Sequence, residues 1–132
     1  MSLQYLIREP KTIQEKNPLL LLLHGYGSNK EDLFSFASEL PEEYYVISVQ
    51  APHDLMYGSY AWYAINFDAD DTKFSDINQA KQSRDLIVDF IDELVAKYPI
   101  DKEKITLIGF SQGAILSYAI ALSYPEKVSK IV

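Results

Sequence analysis

The sequence predicts an α/β fold, a mainly parallel sheet flanked by helices, and three observations lead there. The run Leu19 to Leu23 is continuously apolar, as in a parallel strand buried on both faces. Strand-like and helix-like stretches alternate along the chain, without repeats or low-complexity segments. The apolar stretch Ile105 to Ile108 passes through Gly109-Phe110-Ser111-Gln112-Gly113 directly into a small-residue helical segment. With 132 residues the chain is long enough for one domain with a real core and too short for two.

Taken in order, Leu3 to Arg8 alternates loosely and predicts an edge strand before Pro10, and Lys11 to Pro18 is polar turn material. The leucine strand runs into His24-Gly25-Tyr26-Gly27-Ser28-Asn29. Ser28 and Glu31 have capping-box spacing, and Leu33, Phe34, Phe36, Ala37 and Leu40 form a helical stripe closed by Pro41. Tyr44 to Val49 is the next strand, stopped by Ala51-Pro52. From His53 to about Ser75 the chain reads as one long irregular stretch, and such loops are usually functional or mobile. Asp76 and Gln79 repeat the capping-box spacing. Ala80, Ile87, Phe90 or Ile91, Leu94 and Tyr98 then make an amphipathic helix ended by Pro99. The helix after Ser111 reaches about Ser123, Tyr124-Pro125 breaks it, and Val128 to Val132 starts another strand.

Composition narrows the function. A net charge of −7 argues against nucleic-acid or anionic-membrane partners, since no basic patch is present to release counterions. The longest apolar run is too short to cross a bilayer, so membrane insertion is not expected. No signal peptide is visible at the N-terminus, and the expected location is the cytoplasm. The absence of cysteine rules out disulfides, thiolate metal sites and a cysteine nucleophile. Asp68-Ala69-Asp70-Asp71 lacks the glycine and closing glutamate of a calcium loop and reads as a solvated turn, so no metal is expected.

The Gly-x-Ser-x-Gly stretch between strand and helix has the pattern of a nucleophile elbow, with Ser111 exposed on a strained bend above the sheet. The competing reading is an ordinary glycine-rich turn. In the elbow reading Gly109 and Gly113 are required because a Cβ at either would collide with a neighbouring element. Ser111 also begins a helix, whose free N–H groups face any negative charge forming there. An oxyanion hole needs one donor after the nucleophile, the Gln112 N–H, and another from a loop following an earlier strand. His24-Gly25-Tyr26-Gly27 stands where that loop belongs, and the Tyr26 N–H is the second candidate. The alternative there is a plain glycine turn before a helix.

His24-Gly25-Tyr26-Gly27, Val49-Gln50-Ala51-Pro52, Ala61-Trp62-Tyr63 and Gly109-Phe110-Ser111-Gln112-Gly113 occur together and in this order. The set resembles the phospholipase/carboxylesterase family of α/β hydrolases, which includes the acyl-protein thioesterases. The resemblance covers nearly the whole chain. It implies a partial α/β-hydrolase fold, Ser111 as nucleophile, Tyr26 and Gln112 as oxyanion donors, and Trp62 beside the substrate pocket. It also implies cofactor-independent hydrolysis of carboxylic esters or thioesters, with a small-molecule acyl substrate as partner. Trp62 is favoured as pocket lining, whereas Tyr57, Tyr60, Tyr63 and Phe67 could equally pack the long loop onto the sheet.

One departure stands out. The family order is Ser, then Asp or Glu, then His, yet the 21 residues after Ser111 contain no Asp or His, and Glu126 is their one carboxylate. The expectation is therefore a single domain over 1–132 that is truncated, catalytically incomplete, and prone to self-association through the edge of its last strand. His24 is expected to hold the oxyanion loop and His53 to be exposed. A dyad of His53 with Asp54 is disfavoured because adjacent side chains point apart. A non-catalytic binding or assembly module on the same scaffold remains the alternative. A nucleotide-binding domain is disfavoured because no strand is followed by Gly-x-Gly-x-x-Gly or a Walker loop.

Overall fold

The computed structural model describes residues 3–67, 73–75 and 77–132, with the backbone alone at 66, 67 and 73–75. Strands β1 (Tyr5–Arg8) and β2 (Asn17–Leu23) precede helix α1 (Lys30–Phe34), a 3-10 turn (Ala37–Glu39) and strand β3 (Tyr45–Val49). Two hairpins follow, β4 (His53–Met56) with β5 (Ser59–Ala61), and β6 (Ile65–Phe67) with β7 (Lys73–Ser75). Helix α2 (Ile77–Lys97), strand β8 (Ile100–Gly109), helix α3 (Gln112–Ser123) and strand β9 (Lys130–Ile131) complete the order. The main sheet has five strands in the order β1-β3-β2-β8-β9. It is parallel except for β1, which pairs antiparallel with β3 at one edge.

The leucine run sits at the centre of this sheet, between β3 and β8. Successive side chains point to opposite faces, and both faces are apolar. Leu19, Leu21 and Leu23 join Ile47, Val49, Ile105 and Leu107 beneath Ile87, Ile91 and Leu94 of α2 and Leu116 and Ile120 of α3. Leu20 and Leu22 join Val46 on the other face, against Leu33, Phe34 and Leu40. The second layer is thin, and Phe36 in it is 56% exposed.

Three features differ from the expectation. Helix α1 is five residues long, and its cap is Asn29, whose side chain accepts from the Glu31 and Asp32 N–H groups. The stripe beyond it continues as a 3-10 turn because the Arg8 guanidinium gathers the local carbonyls. It donates to Leu40 O and Tyr44 O at 3.0 Å and also to Ala37 O and Pro41 O. The stretch from His53 to Ser75 is built as the two hairpins rather than as a loop. At the turn between β4 and β5, Tyr57 and Gly58 have φ of 52° and 76°, the positive pair that two-residue type I′ turns use. The third is β2, which starts earlier, at Asn17. That buried amide donates to Thr12 O and Glu43 O at 3.1 and 3.0 Å. Asp76, the expected cap of α2, and the Asp68–Asp71 turn lie outside the described residues.

Candidate active site

Ser111 is exposed between β8 and α3, with φ 57° and ψ −117°. A side chain rarely adopts such a backbone, and the strain persists only where the surroundings impose it. Here they do. A Cβ on Gly109 would lie 2.4 Å from the carbonyl carbon of Gly113, and one on Gly113 would lie 2.0 Å from Leu23 O. Strand, bend and helix are therefore closer together than any other residue type permits. The Phe110 N–H donates to Leu23 O at 3.1 Å, fixing the bend to the end of β2, and the Ile115 N–H to Ser111 O at 3.1 Å opens the helix.

The loop after β2 comes up against this bend. A Cβ on Gly25 would sit 3.0 Å from the Ser111 Cβ and 3.1 Å from Phe110 O, so the two segments touch through backbone. Gly27, at φ +79°, donates its N–H to Tyr60 O at 2.9 Å, and the Tyr60 N–H donates to Ser28 O at 2.8 Å. The loop is thereby tied to β5. Among the described residues, no group accepts from the Tyr26 or Gln112 main-chain N–H, and Ser111 Oγ makes no capping bond to its own helix.

His24 is completely buried at the root of this loop. Its Nε2 accepts the Ala51 N–H at 3.0 Å, so the proton belongs on Nδ1, which donates to Gly25 O at 2.8 Å. Burial pushes its pKa below the ordinary histidine value. With both ring nitrogens engaged, His24 holds the loop and has no lone pair for a proton from Ser111. His53 is half-buried at the start of β4 and Asp54 is exposed next to it, and strand alternation directs them apart.

Trp62, expected beside the pocket, is fully buried, and its indole N–H donates to His24 O at 2.8 Å. Its ring stacks on the imidazole with centroids 5.5 Å apart, so it stands behind the loop and offers no surface to a ligand in this structure. Tyr63 is buried, Tyr60 half-buried, and Tyr57 almost fully exposed at its turn. The Phe67 side chain lies outside the described atoms.

One contact was not anticipated. The Gln112 side chain is buried, accepting the Trp62 N–H on Oε1 at 3.0 Å and donating from Nε2 to Tyr63 O at 2.7 Å. A glutamine opening an otherwise apolar helix was the available signal, since a buried amide must find partners. Helix α2 holds the same segment from behind, through Ser83 Oγ to Trp62 O and the Ala64 N–H to Gln79 Oε1. Among the described residues there is no cluster able to hold a metal ion, and no helix long and apolar enough to cross a membrane.

A family model described as phospholipase/carboxylesterase matches residues 7–132. Feruloyl esterase B of Talaromyces stipitatus is 26% identical over 125 residues, covering 95% of this chain and 33% of that protein. A Bacillus cereus carboxylesterase superposes with a TM-score of 0.80 at 25% identity, covering 98% of this chain and 57% of that one. Esterase PE8 shares the fold with a TM-score of 0.82 at 24% identity, covering 99% of this chain and 62% of that one. The chain thus spans 33% of the matched feruloyl esterase and 57% and 62% of the two solved esterases.

Proposed function

The chain belongs to the phospholipase/carboxylesterase family, and from that premise we propose that Ser111 is the nucleophile of a hydrolase acting on carboxylic esters or thioesters. The Ser111 oxygen attacks the acyl carbon while its proton passes to a general base. The carbonyl π electrons move onto oxygen, and that oxyanion accepts from the Tyr26 and Gln112 N–H groups. Collapse expels the alcohol or thiol, which takes the proton back from the base and leaves an acyl group on Ser111. Water, deprotonated by the same base, then bonds to the acyl carbon, and the bond to Ser111 breaks as its oxygen takes that proton, releasing the acid and restoring the serine. Removing one such oxyanion donor typically costs about 10²–10³ in rate.

The observation that carries this reading is the strained, exposed Ser111 with Gly25 against it. The base in this reading is a histidine outside residues 1–132, as the family order of Ser, then Asp or Glu, then His implies. His24 does not serve, because both its ring nitrogens are engaged. By this reading the 132-residue chain alone retains only the weak catalysis of an oxyanion hole and binding, about 10³–10⁴ over water in serine hydrolases stripped of triad members.

A fluorophosphonate probe, which phosphonylates an activated serine with loss of fluoride, tests this. We expect rapid labelling of the full-length protein at Ser111, none in Ser111→Ala, and labelling of residues 1–132 at least 100-fold slower. Equal labelling of both chains contradicts an external base. Absence of labelling in the full-length protein leaves the non-catalytic binding module as the reading.

A further inference from the structure

We propose that Trp62 is a positioning residue for the oxyanion loop, its indole N–H setting where the Tyr26 N–H stands relative to Ser111. This inference rests on Ser111 being the nucleophile. The contacts form a closed circuit. Gln112, next to Ser111, fixes the Trp62 backbone through Oε1 at 3.0 Å and the Tyr63 carbonyl through Nε2 at 2.7 Å. Trp62 in turn donates its indole N–H to His24 O at 2.8 Å. The His24 ring donates to Gly25 O, and Gly25 lies against the Ser111 Cβ. The carbonyl that the indole holds belongs to the peptide leading into Gly25, one residue before the proposed donor.

Every joint in this circuit is buried, so none of its bonds competes with water. Trp62, His24 and Gln112 are at most 2% exposed. A donor on a glycine-flanked loop has little stiffness of its own, because glycine permits many backbone angles. Stabilising an oxyanion requires a donor held at hydrogen-bond distance from the charge that develops, and a loosened donor loses effect in the transition state far more than in ground-state binding. Trp62 therefore acts on kcat through the loop without touching the substrate.

The test uses the full-length protein and p-nitrophenyl ester hydrolysis. Trp62 is replaced site-specifically by 3-benzothienylalanine, which keeps the bicyclic shape and lacks the N–H, and in parallel by phenylalanine. Ser83→Ala serves as the comparison, since it removes a side-chain tether of the same segment, to Trp62 O, without touching the loop. We expect the benzothienyl variant to lose about tenfold in kcat with KM within twofold, less than the ~10²–10³ that outright removal of an oxyanion donor costs, because the donor is loosened and not removed. Ser83→Ala should lower the thermal midpoint while keeping kcat within twofold. The proposal is overturned if the benzothienyl variant keeps its kcat, or if Ser83→Ala loses as much. The Trp62→Phe protein, which also lacks the donor, should show the same loss in kcat at unchanged KM, and unchanged kcat there overturns the proposal as well. Full activity in Ser111→Ala would instead overturn the nucleophile reading, so the two failures are distinct.

Discussion

His24 shows how one buried side chain links loop geometry to solution behaviour. Its imidazole is neutral because burial disfavours the charged form, and that lowers its pKa in the folded state. In the unfolded chain it titrates near the ordinary value of about 6.5. The unfolded state thus binds a proton that the folded state refuses, and stability rises with pH through this window. The contribution is complete above about pH 6.5 and is lost as pH falls from there through the folded value. Comparing denaturation midpoints of the wild type and His24→Gln between pH 7 and 5 isolates it, because His53 and the carboxylates are common to both. The wild-type slope should be steeper by up to about 1.4 kcal/mol per pH unit, and parallel profiles would contradict this. At this scale the sequence was legible where backbone sterics dictate residue type, as at Gly109, Gly113 and the strained Ser111. A glutamine at the head of an apolar helix signals that partners exist, but those of Gln112 and Trp62 lie 50 and 38 positions away, and no local spacing names them.

The smallest helix illustrates how elements are placed. Five residues cannot sustain a helix in isolation, so α1 depends on its cap and on what it touches. Asn29 supplies two things at once. Its Oδ1 accepts from the Glu31 and Asp32 N–H groups, and its Nδ2 donates to Gly58 O at 3.1 Å, joining the helix to the β4–β5 turn. Asn29→Ala should cost about 1 kcal/mol in urea denaturation, as cap removals typically do. Asn29→Asp keeps the acceptor and loses only the exposed donor, so most of that stability should return. Equal losses in both variants would mean that the link to the turn matters more than the cap. Elements with a strong apolar signal, the continuous run of β2 and the helical period of α2, are readable from sequence. The helical stripe through Leu40 was read too long, because the Arg8 guanidinium that gathers the carbonyls there comes from a distant strand. The β4–β5 hairpin was missed because its turn is Tyr-Gly, which lacks the Asn-Gly or Asp-Gly signature.

For residues 1–132 as a whole, the apolar surface around α3 is the feature from which association is predicted. Ile115, Tyr118 and Leu122 follow one stripe of the helix and are 58%, 62% and 83% exposed. Phe110 and Val132 add 68% and 77% exposed side chains, and β9 ends the sheet with an unpaired edge of two residues. A helix apolar on all sides belongs in an interior, and an open parallel edge is a template for pairing. Fully burying an aliphatic or aromatic side chain contributes about 1.5–3 kcal/mol. Six such side chains across a two-fold contact give on the order of 10 kcal/mol, comparable with the ~4–15 kcal/mol cost of association. The balance predicts a self-association of residues 1–132 that depends on concentration and is not permanent. Static light scattering should show mass rising from that of one 15.1 kDa chain as concentration increases. The double variant Tyr118→Glu and Leu122→Glu places two charges on the stripe while leaving Leu116 and Ile120 of the core untouched, and it should remain monomeric across the same range. A wild-type chain that stays monomeric at high concentration would mean that this stripe tolerates water. An associating double variant would move the contact from the helix to the strand edge.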